Sequence, residues 1–491
     1  MIDFKQVKKL AVGYDIVPIY TKIPRGNLTA EDVFLKLKNL SKHCFILEST
    51  DNASGNGRYT FIGFNPTAEI TCKNAVFTVK SDISSQTIEN NPTGRINEIL
   101  SGYRSPRIDD LPPFTGGLAG FFSFDYIKYS ESSLHFPDSE ENFNDLDLML
   151  FLKLIAFDNV TDEIIIISNA KTDALEENYN KSISDITELE RIIKTGGKTV
   201  MPKLCVKSEF TPSQTKSEYC EAVKRAKRYI KEGDIFQVVL SNRFTAECEG
   251  SLFETYEILK RKNPSPYMLY FSSDNIEIAG SAPETLVSLN GDILSTYPLA
   301  GTRKRGATPE EDFQLEKDLL SDEKELSEHN MLVDLGRNDI GKISELGSVE
   351  VPEYKKIIRF SHVMHIGSKV TGRIKKGLSA ANAIEALLPA GTLSGAPKIR
   401  ACEIISELEG EKLTAERKQC PRGIYGGAIG YISFSGDMDV CIAIRLAYKK
   451  RNTVYVRSGA GIVFDSVPEN EWIECKNKAQ AVINAIEEAS R

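Results

Sequence analysis

The sequence predicts a fold that combines antiparallel β-strands with α-helices, and three features carry this prediction. Residues 1 to about 200 contain five apolar segments of strand length, including HCFILEST and EIIIISN. Farther along, Asn290-Gly291 separates two strand patterns and predicts a hairpin with a two-residue turn. Near the C-terminus, GGAIGYISFS-GD-MDVCIAIRLAYKK-RN-TVYVRSGAGIVFDS predicts a three-strand antiparallel meander that has Arg445 in the middle of a strand.

The length of the chain indicates more than one structural region. Its 491 residues exceed what one simple core holds. We therefore expect an N-terminal region, 1–200, and a second region, 201–491. The segment 194–214 is rich in Gly, Lys, Pro and Ser and is the predicted linker between them.

Composition excludes several classes of protein. The net charge of −8, without a basic run, argues against a nucleic-acid-binding protein. No segment is apolar and long enough to span a membrane, and the first residues, MIDFKQVKKL, lack the apolar core of a signal peptide. The nine scattered cysteines form no C-x-x-C pair, so neither a zinc site nor a disulfide framework is predicted. We expect a soluble cytoplasmic protein.

Two acidic residues stand where predicted strands meet turns. A helix is predicted around Ala30 to Leu40, and the strand after it ends at Glu48-Ser49. Such a polar pair is typical of a turn. Glu284 follows a Gly-Ser-Ala-Pro turn. It is either a surface acid of that turn or, if burial raises its pKa, a general acid.

The segment Tyr297–Ile343 predicts a short strand, a Gly-Thr-Arg turn and then one long helix. Thr308 is the predicted N-cap of this helix. Pro309 occupies its first position and Glu311 completes a capping box. Gly336 is the predicted end of the helix.

Two E-x-x-E pairs are candidates for metal binding. Glu325 and Glu328 lie on this long helix, and Glu471 and Glu474 lie on the predicted last helix. A spacing of three places both carboxylates of a pair on one helix face. Either pair alone is typical of a solvated surface. Four carboxylates from two helices would suit Mg²⁺, which prefers oxygen ligands, and the pairing of these helices is a hypothesis.

Three further features have both a structural and a functional interpretation. The Gly-rich segment LLPAGTLSGAPK predicts a helix capped at Ser394, whose first N–H groups favour an anion. The segment HVMH contains His362 and His365, which are either structural histidines or proton carriers. Arg445 within a strand needs a carboxylate from the protein or from a ligand. Gly459 to Gly461 indicate either anion contact or a β-bulge.

Taken in order, the motifs GSAPE, PLAGTR, DEKELSEH, PAGTLSGAPK, IYGGAIGY and GAGIVFDSVPENEWIECKNKA resemble those of the chorismate-utilising enzymes. The resemblance extends from about residue 215 to 488. The stretches ILEST and GRYTFIGFNP resemble the N-terminal region of the members that form anthranilate. The resemblance implies an α+β fold of two antiparallel β-sheets packed with surrounding helices, with the sheets shared between the two regions.

Positions that differ among the activities of this family narrow the reaction. Members that form isochorismate or salicylate have a water-activating lysine where this chain has Gln237, which is not basic. Members that form aminodeoxychorismate have a nucleophilic lysine where this chain has Ala300. The resemblance therefore implies direct amination by ammonia. It also implies a tryptophan feedback site, whose contacts would be Glu48, Ser49, Pro266, Tyr267 and Met268.

The resemblance further implies roles for individual residues. Glu284 would protonate the departing C4 hydroxyl, and His365 would assist the loss of pyruvate. The other implied catalytic residues are Thr392 and Lys478. The implied substrate contacts are Gly301, Thr302, Tyr425, Arg445, Gly459, Ala460 and Gly461. The implied Mg²⁺ ligands are Glu328 and Glu474, supported by Glu325 and Glu471.

The implied activity is Mg²⁺-dependent amination of chorismate by ammonia, followed by loss of pyruvate to give anthranilate. This would be the first step of tryptophan biosynthesis, inhibited by tryptophan. No cysteine lies in a Gly-x-Cys-x-Gly turn. The resemblance therefore implies a separate glutamine amidotransferase subunit, in a heterotetramer of two large and two small subunits. The alternatives are an aminodeoxychorismate-forming enzyme and a non-catalytic sensor of tryptophan or chorismate, and the retained Glu284, Glu328 and Glu474 speak against the sensor.

Overall fold

The computed structural model describes residues 2–49, 56–81, 85–88, 91–134, 136, 143–360, 363–409 and 421–491. In the first 200 residues, the helices are α1 (Phe4–Leu10), α2 (Ala30–Leu37), α3 (Pro92–Ser101) and α4 (Leu175–Thr195). The strands there are β1 (Ile16–Pro24), β2 (Cys44–Glu48), β3 (Tyr59–Phe64), β4 (Ala68–Lys73), β5 (Val76–Lys80), β6 (Ser85–Ile88), β7 (Gly117–Phe122), β8 (Leu146–Phe151), β9 (Lys153–Asp158) and β10 (Glu163–Lys171).

The second region contains the remaining elements. Its helices are α5 (Lys216–Glu232), α6 (Phe253–Lys262), α7 (Pro309–Ser321), α8 (Glu323–Ile343), α9 (Ala380–Leu387), α10 (Lys398–Leu408) and α11 (Pro468–Ala489). Its strands are β11 (Cys205–Val206), β12 (Thr211–Pro212), β13 (Gln237–Glu249), β14 (Tyr267–Ser272), β15 (Glu277–Ala282), β16 (Thr285–Asn290), β17 (Ile293–Thr296), β18 (Leu299–Lys304), β19 (Glu350–Arg359), β20 (Val363–Arg373), β21 (Gly395–Ala396), β22 (Ala428–Ser433), β23 (Met438–Ile442), β24 (Leu446–Lys450) and β25 (Thr453–Ile462). None of the helices in the described ranges is both long and apolar enough to cross a membrane.

The strands form two antiparallel sheets, which confirms the predicted fold class. Sheet A has the order β1-β10-β9-β3-β2-β14-β15-β24-β25-β13-β11, and β12 and β21 also pair with β13. Sheet B has the order β18-β20-β17-β16-β23-β22-β7-β8-β4-β5-β6, and β19 also pairs with β20. Each sheet contains strands from both sides of residue 200. In sheet A, β2 pairs with β14, and in sheet B, β7 pairs with β22.

Apolar side chains fill three layers. The layer between the sheets includes Phe45 and Leu269 from sheet A together with Met149 and Ile429 from sheet B. Helices α2, α4, α6 and α11 cover the outer face of sheet A. Helices α8 and α9 cover the outer face of sheet B. Each sheet is therefore buried on both faces, which explains why several of its strands are apolar throughout.

The chain passes between the sheets at two neighbouring crossings, which we call the seam. The first crossing, Pro283-Glu284, joins β15 of sheet A to β16 of sheet B. The second, 443–445, joins β23 of sheet B to β24 of sheet A. Backbone hydrogen bonds connect the crossings: the Ser281 N–H donates to the Arg445 carbonyl over 3.0 Å, and the Ile442 N–H donates to the Glu284 carbonyl over 2.9 Å.

The predicted meander is therefore wrong. Its strands β22 and β23 belong to sheet B, whereas β24 and β25 belong to sheet A. Arg445 lies at the crossing and not in the middle of a strand. The hairpin between β16 and β17 is confirmed, but the predicted turn Asn290-Gly291 is wrong by one residue: Asn290 pairs with Ile293, so the turn residues are Gly291 and Asp292.

The predicted long helix is two helices. The N-cap is confirmed, since the Thr308 side chain accepts a hydrogen bond from the Glu311 N–H over 3.2 Å. Asp322 then interrupts the helix, because its side chain accepts hydrogen bonds from two N–H groups of the next turn and caps α8. Gly336 does not end α8, which continues to Ile343.

The Gly-rich segment also differs from the prediction. Helix α10 begins at Lys398, and Pro397 occupies the position before it. The Ser394 hydroxyl donates to the Ala390 carbonyl over 2.9 Å, so Ser394 does not cap this helix. Its hydrogen bond stabilises the preceding turn instead.

Candidate functional site

A cavity of about 770 Å³, the seam cavity, opens beside the two crossings. The residues predicted for catalysis, substrate contact and metal binding line it, with two exceptions. Ala460 instead packs its side chain into the apolar core beneath β25. Glu471 lies on α11 near Glu474, outside the lining of the cavity. The sequence motifs from distant parts of the chain therefore meet at one site.

Glu284 occupies the first crossing and faces the seam cavity. Burial raises the pKa of its carboxyl to about 7, and the nearby Thr392 hydroxyl and Lys478 ammonium limit this rise. Among the described residues, no cation forms an ion pair with it. A carboxyl with a pKa near neutrality keeps a large protonated fraction and can act as a proton donor.

Arg445 occupies the second crossing and has a φ of 54°, a left-handed conformation that is uncommon for residues with a side chain. The backbone of the crossing thus directs its side chain into the seam cavity. Burial lowers the pKa of the guanidinium, and Tyr425 and Glu474 raise it in part. Within the described ranges, no carboxylate pairs with it, so its fork of donors is available to a ligand carboxylate.

His365 lies on β20 beside the Gly301-Thr302 turn. Its Nδ1 is 2.7 Å from the Gly301 carbonyl oxygen and 3.1 Å from the Thr302 hydroxyl. Because a carbonyl only accepts, Nδ1 carries a proton, and Nε2 of the neutral ring can accept one. Burial lowers the pKa of His365, so the ring is neutral at pH 7. His362 lies outside the described residues.

Glycines bring the backbone of β25 close to the seam cavity. A Cβ at Gly459 would lie 3.0 Å from the Tyr425 hydroxyl, and one at Gly461 would lie 2.7 Å from Nε2 of Gln237. Strand β25 pairs with β13 without a shift of register from Thr453 to Ile462. The alternative of a bulge is therefore excluded, and these glycines are required by close packing.

Gln237 and Ala300, the two positions that distinguish the possible reactions, lie close to this cavity. Ala300 lines the seam cavity, and only 8% of its surface is exposed. Gln237 is buried at the start of β13, and its Oε1 has no hydrogen-bond partner among the described residues. Neither side chain supplies a base or a nucleophile.

Three of the four predicted metal ligands line the seam cavity, namely Glu325, Glu328 and Glu474. Burial raises the pKa of Glu328, and the charges of Glu325 and Glu474 raise it further. Repulsion among carboxylates that lack a cation is what a divalent metal would relieve, and oxygen donors suit Mg²⁺. The donor chemistry therefore fits.

These carboxylates do not converge on a single position that a metal ion could occupy. Within the described residues, no three potential ligands form a metal-sized cluster. Lys478 holds Glu474 at 2.6 Å, and Arg303 lies 3.8 Å from Glu325. A cation would have to compete with Lys478 for Glu474.

A second cavity, of about 300 Å³, lies at the end of β2 and is called the strand-end cavity. Glu48 and Ser49, two of the residues predicted to contact an effector, line this cavity. Lys260 forms ion pairs with Glu31 at 2.6 Å and with Glu48 at 2.8 Å. Burial raises the pKa of Glu48, and Lys260 opposes this shift. The second oxygen of Glu48, Oε1, and the Ser49 hydroxyl have no hydrogen-bond partner among the described residues.

The other three predicted effector contacts, Pro266, Tyr267 and Met268, do not line the strand-end cavity. Pro266 lines the seam cavity. Met268 is buried and pairs directly with Glu48 across β14 and β2. The Tyr267 hydroxyl makes hydrogen bonds with Thr285, next to Glu284, over 2.7 Å and with Asp439 over 2.8 Å. Tyr267 therefore connects the strand-end side of sheet A to the first crossing.

Sequence reasoning missed several charged residues of both cavities. Arg457 lines the seam cavity and pairs with buried Glu409 at 2.9 Å. It lies within the apolar strand TVYVRSGAG, so the argument applied to Arg445 could have found it. Arg25 and Lys260 line the strand-end cavity. The sequence contains no comparable signal for them, because they lie on elements that only the folded chain brings to Glu48.

Comparisons with known proteins agree with this geometry. A family model described as chorismate binding enzyme matches residues 42–484. The chain is 42% identical to anthranilate synthase component 1 of Acetivibrio thermocellus, over 99% of this chain and 98% of that protein. It is 40% identical to the protein of the same name from Aquifex aeolicus, again over 99% and 98% of the two chains.

Solved structures show the same architecture. Anthranilate synthase component I from Streptococcus pneumoniae superposes with a TM-score of 0.75 at 35% identity, covering 94% of this chain and 98% of that chain. The menaquinone-specific isochorismate synthase of Escherichia coli superposes with a TM-score of 0.71 at 18% identity, covering 98% of both chains. The second likeness is one of fold alone.

Proposed function

The chain belongs to the family of chorismate-binding enzymes, and from this membership we propose that it aminates chorismate with ammonia and converts the product to anthranilate and pyruvate. The observation that carries the proposal is the seam itself. It brings two groups to one cavity: Glu284, which is part-protonated near neutral pH, and Arg445, which pairs with no carboxylate of the described residues. Chorismate offers a hydroxyl that leaves and two carboxylates, which match these groups.

In the first step, Arg445 binds a substrate carboxylate and fixes the ring in the seam cavity. Ammonia adds at C2 while Glu284 gives its proton to the C4 oxygen, which departs as water. Gln237 cannot activate water, and Ala300 cannot form a covalent adduct. Both positions favour ammonia as the nucleophile over the alternatives in the family.

In the second step, the aminated intermediate loses pyruvate and becomes aromatic. A base has to remove the proton at C2 while the C3–O bond breaks, and Nε2 of neutral His365 is an acceptor beside the Gly301-Thr302 turn. The released enolpyruvate takes up one proton at its methylene carbon and becomes pyruvate. Aromatisation makes this step strongly favourable. Thr392 and Lys478 adjoin Glu284 and modulate its charge.

We propose Mg²⁺ as the cofactor, held by Glu328 and Glu474 with support from Glu325 and Glu471. When bound, Mg²⁺ would supply Lewis-acid stabilisation and a template for a substrate carboxylate. The variant Glu328→Gln should raise the Mg²⁺ concentration needed for half-maximal activity about tenfold, as expected for loss of one charged ligand. Asp334→Asn, an exposed acid on the same helix, is the matched control. If Glu328→Gln needs the same Mg²⁺ concentration as the wild type, Glu328 is not a ligand of the metal.

Ammonia has to reach the site in its neutral form, because ammonium is not nucleophilic. The chain contains no Gly-x-Cys-x-Gly nucleophile turn. The designation component 1 of its relatives indicates a further component. We propose a glutamine amidotransferase subunit as the source of ammonia, in an assembly of two large and two small subunits.

The strand-end cavity is the proposed site of feedback inhibition by tryptophan. Glu48 Oε1 and the Ser49 hydroxyl are unsatisfied acceptors that suit an α-ammonium group. Arg25, on the same cavity, suits the α-carboxylate. The contact of Tyr267 with Thr285 supports a mechanical connection to Glu284.

Anthranilate fluorescence tests the whole proposal. The purified chain is supplied with chorismate, Mg²⁺ and ammonium chloride at mildly alkaline pH, with and without tryptophan. The expected result is a rise in fluorescence that tryptophan suppresses and that a chelator abolishes. Accumulation of 4-amino-4-deoxychorismate would indicate the aminodeoxychorismate-forming activity. Tryptophan binding without consumption of chorismate would indicate a sensor.

A further inference from the structure

A small inner cavity lies behind Glu284, on the side of α8. It has a volume of about 40 Å³ and is lined by residues of the first crossing, the end of β17, α8 and the Gly-rich turn. Among the described residues that line it, the titratable side chains are Glu284 and Asp339. Thr392 lines both this inner cavity and the seam cavity. Glu284 is thus in contact with two separate spaces.

The inner cavity meets the requirements for ordered water. A buried water needs at least about 10–15 Å³ and two to four polar partners, so about 40 Å³ has room for two or three molecules. Carboxyl oxygens of Glu284 and Asp339 supply such partners. The Thr392 hydroxyl is a further one, since it is buried and has no hydrogen-bond partner among the described residues.

Asp339 connects this cavity to the surface of the molecule. Its carboxylate pairs with Lys398 at 2.8 Å, and Lys398 also donates to the Leu387 carbonyl over 2.9 Å. On its other side, Asp339 lies 3.6 Å from Lys342, whose side chain is 50% exposed. Asp339 therefore lies between the inner cavity and Lys342, whose ammonium group reaches solvent.

We propose that the inner cavity holds a short chain of water that returns protons from solvent to Glu284, and that Asp339 is the positioning residue that orients this water. The proposal rests on the proposed role of Glu284 as general acid. In each turnover the Glu284 O–H bond breaks, and its proton leaves with the C4 oxygen as water. The carboxylate then takes a proton from the nearest cavity water, which takes one from the next, so one proton enters from solvent. The ammonium formed at C2 releases one proton, and the turnover is balanced.

A path behind Glu284 is needed because substrate bound in the seam cavity would cover the other face of this residue. Thr392 and Lys478 adjoin the carboxyl from the Gly-rich turn and from α11, on the side of the seam cavity. Water behind Glu284 allows the acid to be recharged independently of substrate and product exchange.

The test separates the first turnover from steady turnover. The variant Asp339→Asn removes the orienting charge. The variant Gly336→Ala narrows the inner cavity, because its Cβ would lie 3.3 Å from Thr296 Cγ2 and 3.4 Å from Pro298 Cγ. Gly341→Ala, on the same helix, is the matched control, since its Cβ meets no atom closer than 3.9 Å. All are assayed with chorismate, Mg²⁺ and ammonium chloride in single-turnover and steady-state mode.

When the chain is equilibrated below pH 7 before mixing, the first turnover of Asp339→Asn and Gly336→Ala should keep the wild-type rate, because Glu284 then starts protonated. Steady-state kcat should fall about tenfold or more, with a larger solvent deuterium effect. Gly341→Ala should match the wild type in both modes. Unchanged kcat in both variants, or an equal loss in both modes, would overturn the proposal. A wild-type chain that forms no anthranilate would instead refute the proposed function.

Discussion

The seam cavity and the strand-end cavity are both lined by charged side chains, but these side chains differ in whether they already have ion-pair partners. In the seam cavity, Glu284 and Arg445 have no ion-pair partner among the described residues. In the strand-end cavity, Lys260 already pairs with Glu31 and Glu48. An unpaired charge that faces a cavity favours a charged ligand, whereas a charge in an ion pair contributes to the stability of the fold. The comparison therefore predicts that charge removal affects catalysis at the seam and stability at the strand end.

The largest effect is expected for Glu284→Gln, because it removes the only proposed proton donor to the C4 oxygen. We expect kcat with ammonia to fall about 10²- to 10⁴-fold, the usual contribution of a general acid. The fold should keep its melting temperature, because Glu284 has no ion-pair partner among the described residues. Thermal unfolding and anthranilate formation, measured on one preparation, distinguish the two effects.

The direction in which activity changes with pH tests the assignment of Glu284 as the general acid. Glu284 has its pKa raised to about 7, and it acts when protonated. At a fixed concentration of neutral ammonia, kcat/KM for chorismate should therefore be high below pH 7 and fall as pH rises through that value. A profile that rises through pH 7 under these conditions would exclude Glu284 as the acid.

The next effect concerns the arginine of the second crossing. Arg445→Met should raise the KM for chorismate about 10- to 100-fold, since a hydrogen bond to a charged group contributes about 1.5–3 kcal/mol. Arg451→Met is the matched control, because Arg451 also has a left-handed backbone, with a φ of 55°, and lies on the β24–β25 turn. A KM that changes equally in both variants would show that the backbone and not the guanidinium is responsible.

Removal of a charge at the strand-end cavity should lower the stability of the fold. Lys260→Met leaves Glu31 and Glu48 without their shared cation, so the free energy of unfolding should fall by about 1–3 kcal/mol. Denaturant unfolding measures this loss, and Arg445→Met provides the contrast with little or no loss. If Arg445→Met were destabilised more than Lys260→Met, the distinction between the two cavities would fail.

The same contrast explains how much the sequence could reveal. Patterns within short stretches predicted strands, the Thr308 cap and the hairpin between β16 and β17, because each depends on neighbouring residues. The motifs of the family predicted which side chains would meet at the seam cavity. What they could not provide was the seam, because a crossing between sheets has no local signature in a chain whose strands are apolar on both faces.

Arg445 and Gly336 illustrate the missing information. A strand pattern continues through Arg445, yet the chain turns there to enter the other sheet. Glycine is typical of a helix end, yet α8 continues past Gly336. The absence of a Cβ at Gly336 lets Thr296 and Pro298 pack closely against the helix. In both cases tertiary packing overrides local propensity, and only the partner element reveals it.

The smallest effect is expected at the end of β2, where the ligand contacts of the strand-end cavity are separate from its ion pairs. Ser49→Ala removes one unsatisfied acceptor and should weaken tryptophan inhibition about fivefold, the equivalent of one hydrogen bond of about 1 kcal/mol. Activity without tryptophan should not change, because Ser49 does not line the seam cavity. Ser41→Ala is the control at the opposite end of the strand, where the hydroxyl donates to the His43 carbonyl over 2.8 Å. Equal tryptophan sensitivity in Ser49→Ala, Ser41→Ala and the wild type would remove Ser49 from the effector site and leave the strand-end cavity with a structural role only.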